Sequence, residues 1–289
     1  MSRVTLVQNQ ETLQYSVAKI LVEERRDLLA HLEAEAAIHK ELESPRILKL
    51  ETFQEALTLV DSEGNQLTTT GILMELAPKG DLFDLLSIFN QLPYILARSY
   101  ARQMAEAVAY LHQKGIAHQD IKLENFLLDS KFNIKLADFG FSRMTNKEQT
   151  STEQVGTPQY WSPEQHEQTP FNGMEVDVFN LGVAIFLLVA GKMPFEQATK
   201  DDEFYVHFIN GEEEKFWQMH EEEMSPSSGR SFFKDDFRTL MNGMLRYKAS
   251  ERMTIKEVVA QPWLNVTSEM MDKCGGIVAE FLKKKGVSN

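Results

Sequence analysis

One cysteine, Cys274, stands in 289 residues, so no internal disulfide can staple the chain. No apolar N-terminal segment resembles a secretory signal. The longest unbroken apolar stretch, Val183 to Ala190, is too short to cross a bilayer. These absences lead to the expectation of an intracellular, reducing compartment, cytoplasm or nucleus. Positive charge is also scarce: 30 Lys and Arg against 43 Asp and Glu leave a net charge of -13. Such a surface repels phosphate, which argues against nucleic acid and membrane as partners. The basic run Lys283, Lys284, Lys285 reads as a solvated chain end. Asn265-Val266-Thr267 fits the N-glycosylation pattern, but without secretion it is a chance match. What is present is ordinary core material, 43% hydrophobic and 25% charged, enough for one large domain or two lobes sharing a cleft.

Strand-like alternation opens the chain: Val4 and Leu6, a polar turn at Asn9 to Thr12, then Tyr15, Val17 and Ile20. From Asp27 to Leu42 the period becomes helical, with Leu28, Leu32, Glu35, Ala36 and His39 on one side, and Pro45 closes it. Strands are expected at Leu48 to Phe53, Ala56 to Val60 and Leu67 to Leu76. Pro78-Lys79-Gly80-Asp81 breaks the pattern, and beyond it helices dominate, notably Tyr94 to Gln113 and Asp177 to Ala190. A lobe boundary near residue 77 follows. Phe126 to Ala137 reads as a short hairpin, and the polar, aperiodic stretch Arg143 to Val155 as a mobile loop.

Within this frame, His118-Gln119-Asp120-Ile121-Lys122-Leu123-Glu124-Asn125, and Asp138-Phe139-Gly140 one hairpin later, resemble the HRDLxxxN and DFG signatures of eukaryotic protein serine/threonine kinases. Phosphoryl transfer needs a carboxylate near the acceptor hydroxyl and oxygen ligands that hold magnesium against the nucleotide phosphates. The resemblance implies Asp120 for the first and Asn125 with Asp138 for the second, with Lys122 stabilising charge on the transferred group. Val17-Ala18-Lys19 and Glu35 resemble the strand lysine and helix glutamate whose ion pair positions the phosphates. Met74 is gatekeeper-like, Glu75-Leu76-Ala77 is hinge-like, Asp81 falls near the ribose, Leu127 beneath the base, and Val4 and Val17 against its other face. Thr157, in Gly156-Thr157-Pro158, and Ser162-Pro163-Glu164 resemble the peptide-docking segment. Glu164 is expected to pair with Arg252, and Asp177 to brace the catalytic-loop backbone. Taken singly, each is an ordinary residue: Lys19 a surface lysine, Glu35 a solvated helix position, the aspartates loop residues. Their order in one chain is what singles them out.

The resemblance covers about residues 3 to 265 and implies an α+β, two-lobed protein-kinase-like fold. Its parts are a sheet-rich N-lobe (1–77) lacking its first strand, a helical C-lobe (78–265), and a helical tail (266–289). Lys122 and Thr157 are the serine/threonine forms, and Phe216, Trp217 and Trp263 resemble the calcium/calmodulin-dependent and related branch. It further implies ATP and Mg2+ as cofactors and a monomer acting on protein or peptide substrates. Asp81 and Glu124 match acidic positions that favour a basic residue near the phosphosite.

Four departures stand out. Only Met1, Ser2 and Arg3 precede Val4 where the family has the loop GxGxxGxV, so either residues before Met1 supply it or nucleotide is held without it. Val17 replaces an alanine and narrows the adenine slot, and Gln119 replaces the arginine that clamps an activation-loop phosphate. Glu153, three residues before Gly156, carries its own negative charge where many kinases are phosphorylated, so phosphorylation-independent activity is expected. Two further readings stay open: a pseudokinase that binds or scaffolds, and a small-molecule phosphotransferase, against which Thr157 to Glu164 argue.

Overall fold

The computed structural model describes residues 2–23, 25–146, 148–224 and 232–286. The opening alternation forms a hairpin of β1 (Ser2–Gln8) and β2 (Tyr15–Leu21), paired from Ser2↔Leu21 to Gln8↔Tyr15. This edge strand is fully laddered, and the Asn9 side chain closes its turn by accepting the Glu11 and Thr12 amides at 2.9 Å each. Ser2 and Arg3, considered above for a phosphate loop, belong to β1, and Met1 lies outside the described residues. Direct antiparallel partners share a face. Val4 and Leu6 therefore lie on the side of their partners Lys19 and Val17, whereas Ala18 and Ile20 pack with Leu57 on the other.

Helix α1 (Arg26–Lys40) buries Leu32, Glu35, Ala36 and His39, the face legible in the three- and four-residue spacing. Strands β3 (Leu50–Val60) and β4 (Gln66–Glu75) complete a four-stranded sheet in the order β1-β2-β4-β3. The two strands expected at 48–53 and 56–60 are one, because an irregularity between Gln54 and Leu57 absorbs the break in alternation.

The C-lobe begins with α2 (Leu82–Phe89) and α3 (Tyr94–Gln113), then β5 (Ile116–Ala117) and the hairpin β6 (Phe126–Leu128) and β7 (Ile134–Leu136). Strand β8 (Arg143–Met144) pairs with β5, and Ser151 exchanges two backbone bonds with Phe171 at 2.9 Å. The segment read as a mobile loop is therefore anchored at its start and its middle. After α4 (Pro163–His166) comes α5 (Gly173–Ala190). By length and composition α5 could cross a membrane, yet 89% of it is buried. Being apolar on every side, it forms the axis of the lobe. Around it pack α6 (Val206–Ile209), α7 (Glu213–Met224), α8 (Asp235–Met244) and α9 (Ile255–Val259). Phe186 of α5 meets Phe216 at 5.9 Å and Trp217 at 6.2 Å, and Phe237 meets Trp263 at 4.9 Å.

The last helix, α10 (Ser268–Lys285), buries Cys274, Val278 and Leu282 against the lobe and stacks Phe281 on Phe89 at 3.6 Å. Lys284 pairs with Glu280 one turn back, and Lys285 lies over Phe281. Cations suit this carbonyl-rich helix end. Residues 287–289 of the tail lie outside the described residues.

Candidate active site

The cleft is built from both lobes. Lys19 projects from β2 and donates to both Glu35 carboxylate oxygens at 2.8 Å and to Asp138 Oδ1 at 2.9 Å. Helix α1 delivers Glu35 because that residue falls on its buried stripe. Burial penalises the Lys19 ammonium, but the adjacent Glu35 and Asp138 charges outweigh it and raise its pKa. For Glu35 burial dominates and lifts the carboxyl above its usual range, with Lys19 opposing. Burial also pushes Asp138 upward, and here Lys19 prevails and holds it below the usual carboxylate range. The Asp138 backbone is left-handed (φ 61°), which aspartate tolerates better than most residues.

Below this triad lies a second cluster. Asp120 accepts Thr157 Oγ1 at 2.8 Å through one oxygen and lies 2.8 Å from Lys122 Nζ through the other. Lys122 also donates to Thr157 at 2.8 Å. Asn125 Nδ2 donates to the Asp120 carbonyl at 2.7 Å and to its side chain at 3.1 Å. With its nitrogen so engaged, Asn125 has its amide oxygen left to offer a cation. The loop is held from beneath by Asp177, fully buried, which accepts the His118 and Gln119 amides at 2.7 Å each. That is the brace expected from sequence, set by α5.

A stack links the lobes and was not read from the sequence. His39 of α1 lies 4.5 Å from the Phe139 ring, and Phe139 lies 5.3 Å from His118, whose amide Asp177 holds. His39 Nε2 is hydrogen-bonded to the Leu48 carbonyl. Burial lowers the His39 imidazole pKa. The signal was present, since His39 stands one helical turn beyond Glu35 on the same stripe.

At the hinge, Val17, Met74, Ala77 and Leu127 fall in one apolar cluster, with Val17 opposite Met74 in register. The Ala77 amide makes no hydrogen bond to the described residues, so it can meet a base edge. Glu75 differs from expectation in its side chain, which accepts the Lys49 amide at 2.8 Å and Lys135 Nζ at 2.7 Å. Both bonds fall on Oε1, and the Glu75 amide itself donates to the Lys49 carbonyl at 3.0 Å. Asp81 caps α2 by accepting the Asp84 amide at 2.8 Å, and its backbone pairs with Leu127, which keeps it at the hinge. Val4 shares the face of Lys19 but is 61% exposed, so it overhangs the cleft without packing there. A cavity of about 210 Å³ lies behind the lysine, lined by His31, Glu35, Asp138 and Phe141 among others.

The docking segment folds as the motif implied. Arg252 grips Glu164 bidentately at 2.8 and 3.0 Å, both residues nearly buried. Glu153 is exposed and makes no ion pair among the described residues, so its charge is not what holds the segment. Neutral groups do so. Asn172 Nδ2 donates to the Asn146 and Gln149 carbonyls at 2.8 and 3.0 Å, while its oxygen caps α5 through Met174 N at 2.9 Å. Gln119, in place of a clamping arginine, lies against Gly173, where an added Cβ would sit 2.8 Å from the Gln119 amide nitrogen.

The protein kinase domain family matches residues 1–264. The chain is 34% identical over 252 residues to NUAK family SNF1-like kinase 2 of Homo sapiens, covering 86% of this chain and 36% of that protein. It is likewise 34% identical over 251 residues to NUAK family SNF1-like kinase 1 of Homo sapiens, covering 86% and 34%. Against Serine/threonine-protein kinase chk1 of Schizosaccharomyces pombe it is 31% identical over 210 residues, covering 71% and 39%. The chain spans about a third of the length of these curated relatives.

Proposed function

Because the chain belongs to the protein kinase domain family, we propose that it transfers the ATP γ-phosphoryl group to serine or threonine of protein substrates. The observation that carries this reading is the joined pair of clusters. Lys19 reaches Glu35 and Asp138 at once, and Asp120, Lys122 and Thr157 are mutually bonded one layer below. A scaffold has no need of either.

Val17, Met74, Ala77 and Leu127 would hold the adenine of ATP in their apolar slot, where the unpaired Ala77 amide would offer a donor to the base. Lys19, held by Glu35, would supply its ammonium to the phosphates. The oxygens of Asn125 and Asp138 form the hard donor set that Mg2+ prefers, and the ion's role is to neutralise phosphate charge. Asp120 accepts the proton of the incoming hydroxyl, oriented by Asn125 and Thr157. Lys122 places a cation beside the developing charge. The likeness to the NUAK family kinases and to chk1 supports the calcium/calmodulin-dependent and related branch. Asp81 and Glu124 favour a basic residue near the phosphosite.

The reading is tested by incubating the protein with ATP, Mg2+ and a mixed peptide set, then identifying the phosphorylated residues. Phosphoserine or phosphothreonine, lost in Asp120→Asn, supports it. Phosphate on tyrosine or on small molecules alone, or none on any acceptor, overturns it.

A further inference from the structure

The last helix touches the nucleotide cleft only through the elements that build it. Cys274, Val278 and Leu282 recur at four-residue steps, which puts them on one face of α10, and all three are buried. Two residues beside that stripe make closer contacts. Gly275 lies so near the turn between β6 and β7 that an added Cβ would collide with the Lys131 carbonyl oxygen. Phe281 stacks on Phe89, the last residue of α2, with the rings 18° from parallel and their centroids 3.6 Å apart.

Both contacted elements carry candidate nucleotide residues at their other ends. The β6–β7 turn is stiff, because the Asp129 carboxylate accepts the Lys131 and Asn133 amides at 2.8 and 2.9 Å. Each strand of that hairpin has three residues, so its open end lies only about 10 Å away. There the Ala137 amide donates to the Asn125 carbonyl at 2.9 Å, and Asn125 and Asp138 are the residues placed above at Mg2+. Helix α2 is a second bar: it buries Leu82, Leu85, Leu86 and Phe89, and its cap is Asp81, the ribose candidate. Its far end is held by Phe281 and by Gly191, where an added Cβ would sit 2.6 Å from the Asn90 carbonyl. The bars are also tied to each other, since Lys79 N donates to Leu128 O at 3.1 Å and Leu128 N to Gly80 O at 2.8 Å. In a close-packed interior a shift of α10 therefore passes to both.

We infer that α10 tunes the affinity for Mg2+ and ATP from outside the cleft, with Gly275 and Phe281 as positioning residues for the hairpin and for α2. The inference rests on the kinase reading above and deepens it. Neither residue touches nucleotide or peptide. Gly275 lets the helix backbone seat on the turn, and Phe281 keeps α2 from sliding along it.

Two adjacent glycines give a matched test. Gly275→Ala and Gly276→Ala gain the same helix propensity, but the added methyl meets the Lys131 carbonyl in the first and nothing within 4 Å in the second. ATP affinity is read by calorimetry with Mg2+, peptide KM by steady-state kinetics, and backbone protection by hydrogen exchange. Gly276→Ala should match the wild type throughout. Gly275→Ala and Phe281→Ala should each weaken ATP binding about fivefold to tenfold, leave peptide KM unchanged, and speed exchange at residues 81–89 and 125–138. Phe281→Tyr, which keeps the stacked ring, should restore wild-type affinity. Wild-type affinity with wild-type exchange in those two segments, in both Gly275→Ala and Phe281→Ala, overturns the inference. So does an equal loss in Gly276→Ala, or a loss of protection spread evenly over the chain with peptide KM rising alongside. A wild type that binds no ATP overturns the kinase reading instead, and the exchange pattern still decides whether α10 holds the hairpin and α2.

Discussion

Replacing Asn172 separates an activation segment held by neutral contacts from one that waits for phosphate. Asn172 is 6% exposed and does two jobs with one amide: its oxygen caps α5, and its nitrogen ties the Asn146 and Gln149 carbonyls. Asn172→Ala removes both, a cap worth ~1 kcal/mol and two hydrogen bonds worth ~0.5–1.5 kcal/mol each. A total loss of about 2–4 kcal/mol follows. Asn172→Asp isolates the second job, because a carboxylate still caps the helix but has no N–H for the carbonyls. Hydrogen exchange over residues 146–155 is the assay. It should rise strongly in Asn172→Asp with little change in α5, and transfer activity should fall in parallel. Phosphatase treatment of the wild type should leave activity intact. Unchanged protection in Asn172→Asp, or an activity that phosphatase abolishes, would refute the reasoning.

Arg252→Ala should destabilise the protein by about 3–5 kcal/mol in urea unfolding, since it strands a nearly buried Glu164 carboxylate. Val17→Ala should widen the adenine slot and tighten ATP binding about fivefold by calorimetry, the other lining residues being unchanged. Acid should destabilise through His220. The unfolded imidazole titrates near 6.5 and the folded one at about 4, so below pH 6.5 the unfolded chain binds more protons. Stability is present in full above pH 6.5 and declines by about 3 kcal/mol as pH falls to 4. His220→Phe should flatten that part of the profile in urea melts between pH 7 and 4.

The candidate catalytic residues were legible because phosphoryl transfer demands particular side chains in a fixed order, and Lys19, Glu35, Asp120, Asn125 and Asp138 meet in one cleft. The Glu164–Arg252 pair and the Asp177 brace were legible for the same reason. Hidden features depend on where side chains end up in space. Glu75 sits in the hinge by register, but Lys135, distant in sequence, turns its carboxylate away from the cleft. Glu153 carries the right charge, yet nothing among the described residues answers it, while Asn172, an unremarked asparagine, does the ordering. A break in alternation at residues 54 to 57 divided one strand into two, because a bulge and a strand end look alike until the partner strand is known.

The central claim is that Lys19, Asp138 and Asp120 form a working phosphotransfer site. Its most direct test is transfer of labelled phosphate from ATP to serine/threonine peptides by the purified protein, beside Asp138→Ala. Incorporation should depend on Mg2+ and vanish in the variant while the fold, followed by circular dichroism, persists. No incorporation by the wild type, or incorporation that continues unchanged in Asp138→Ala, would contradict it.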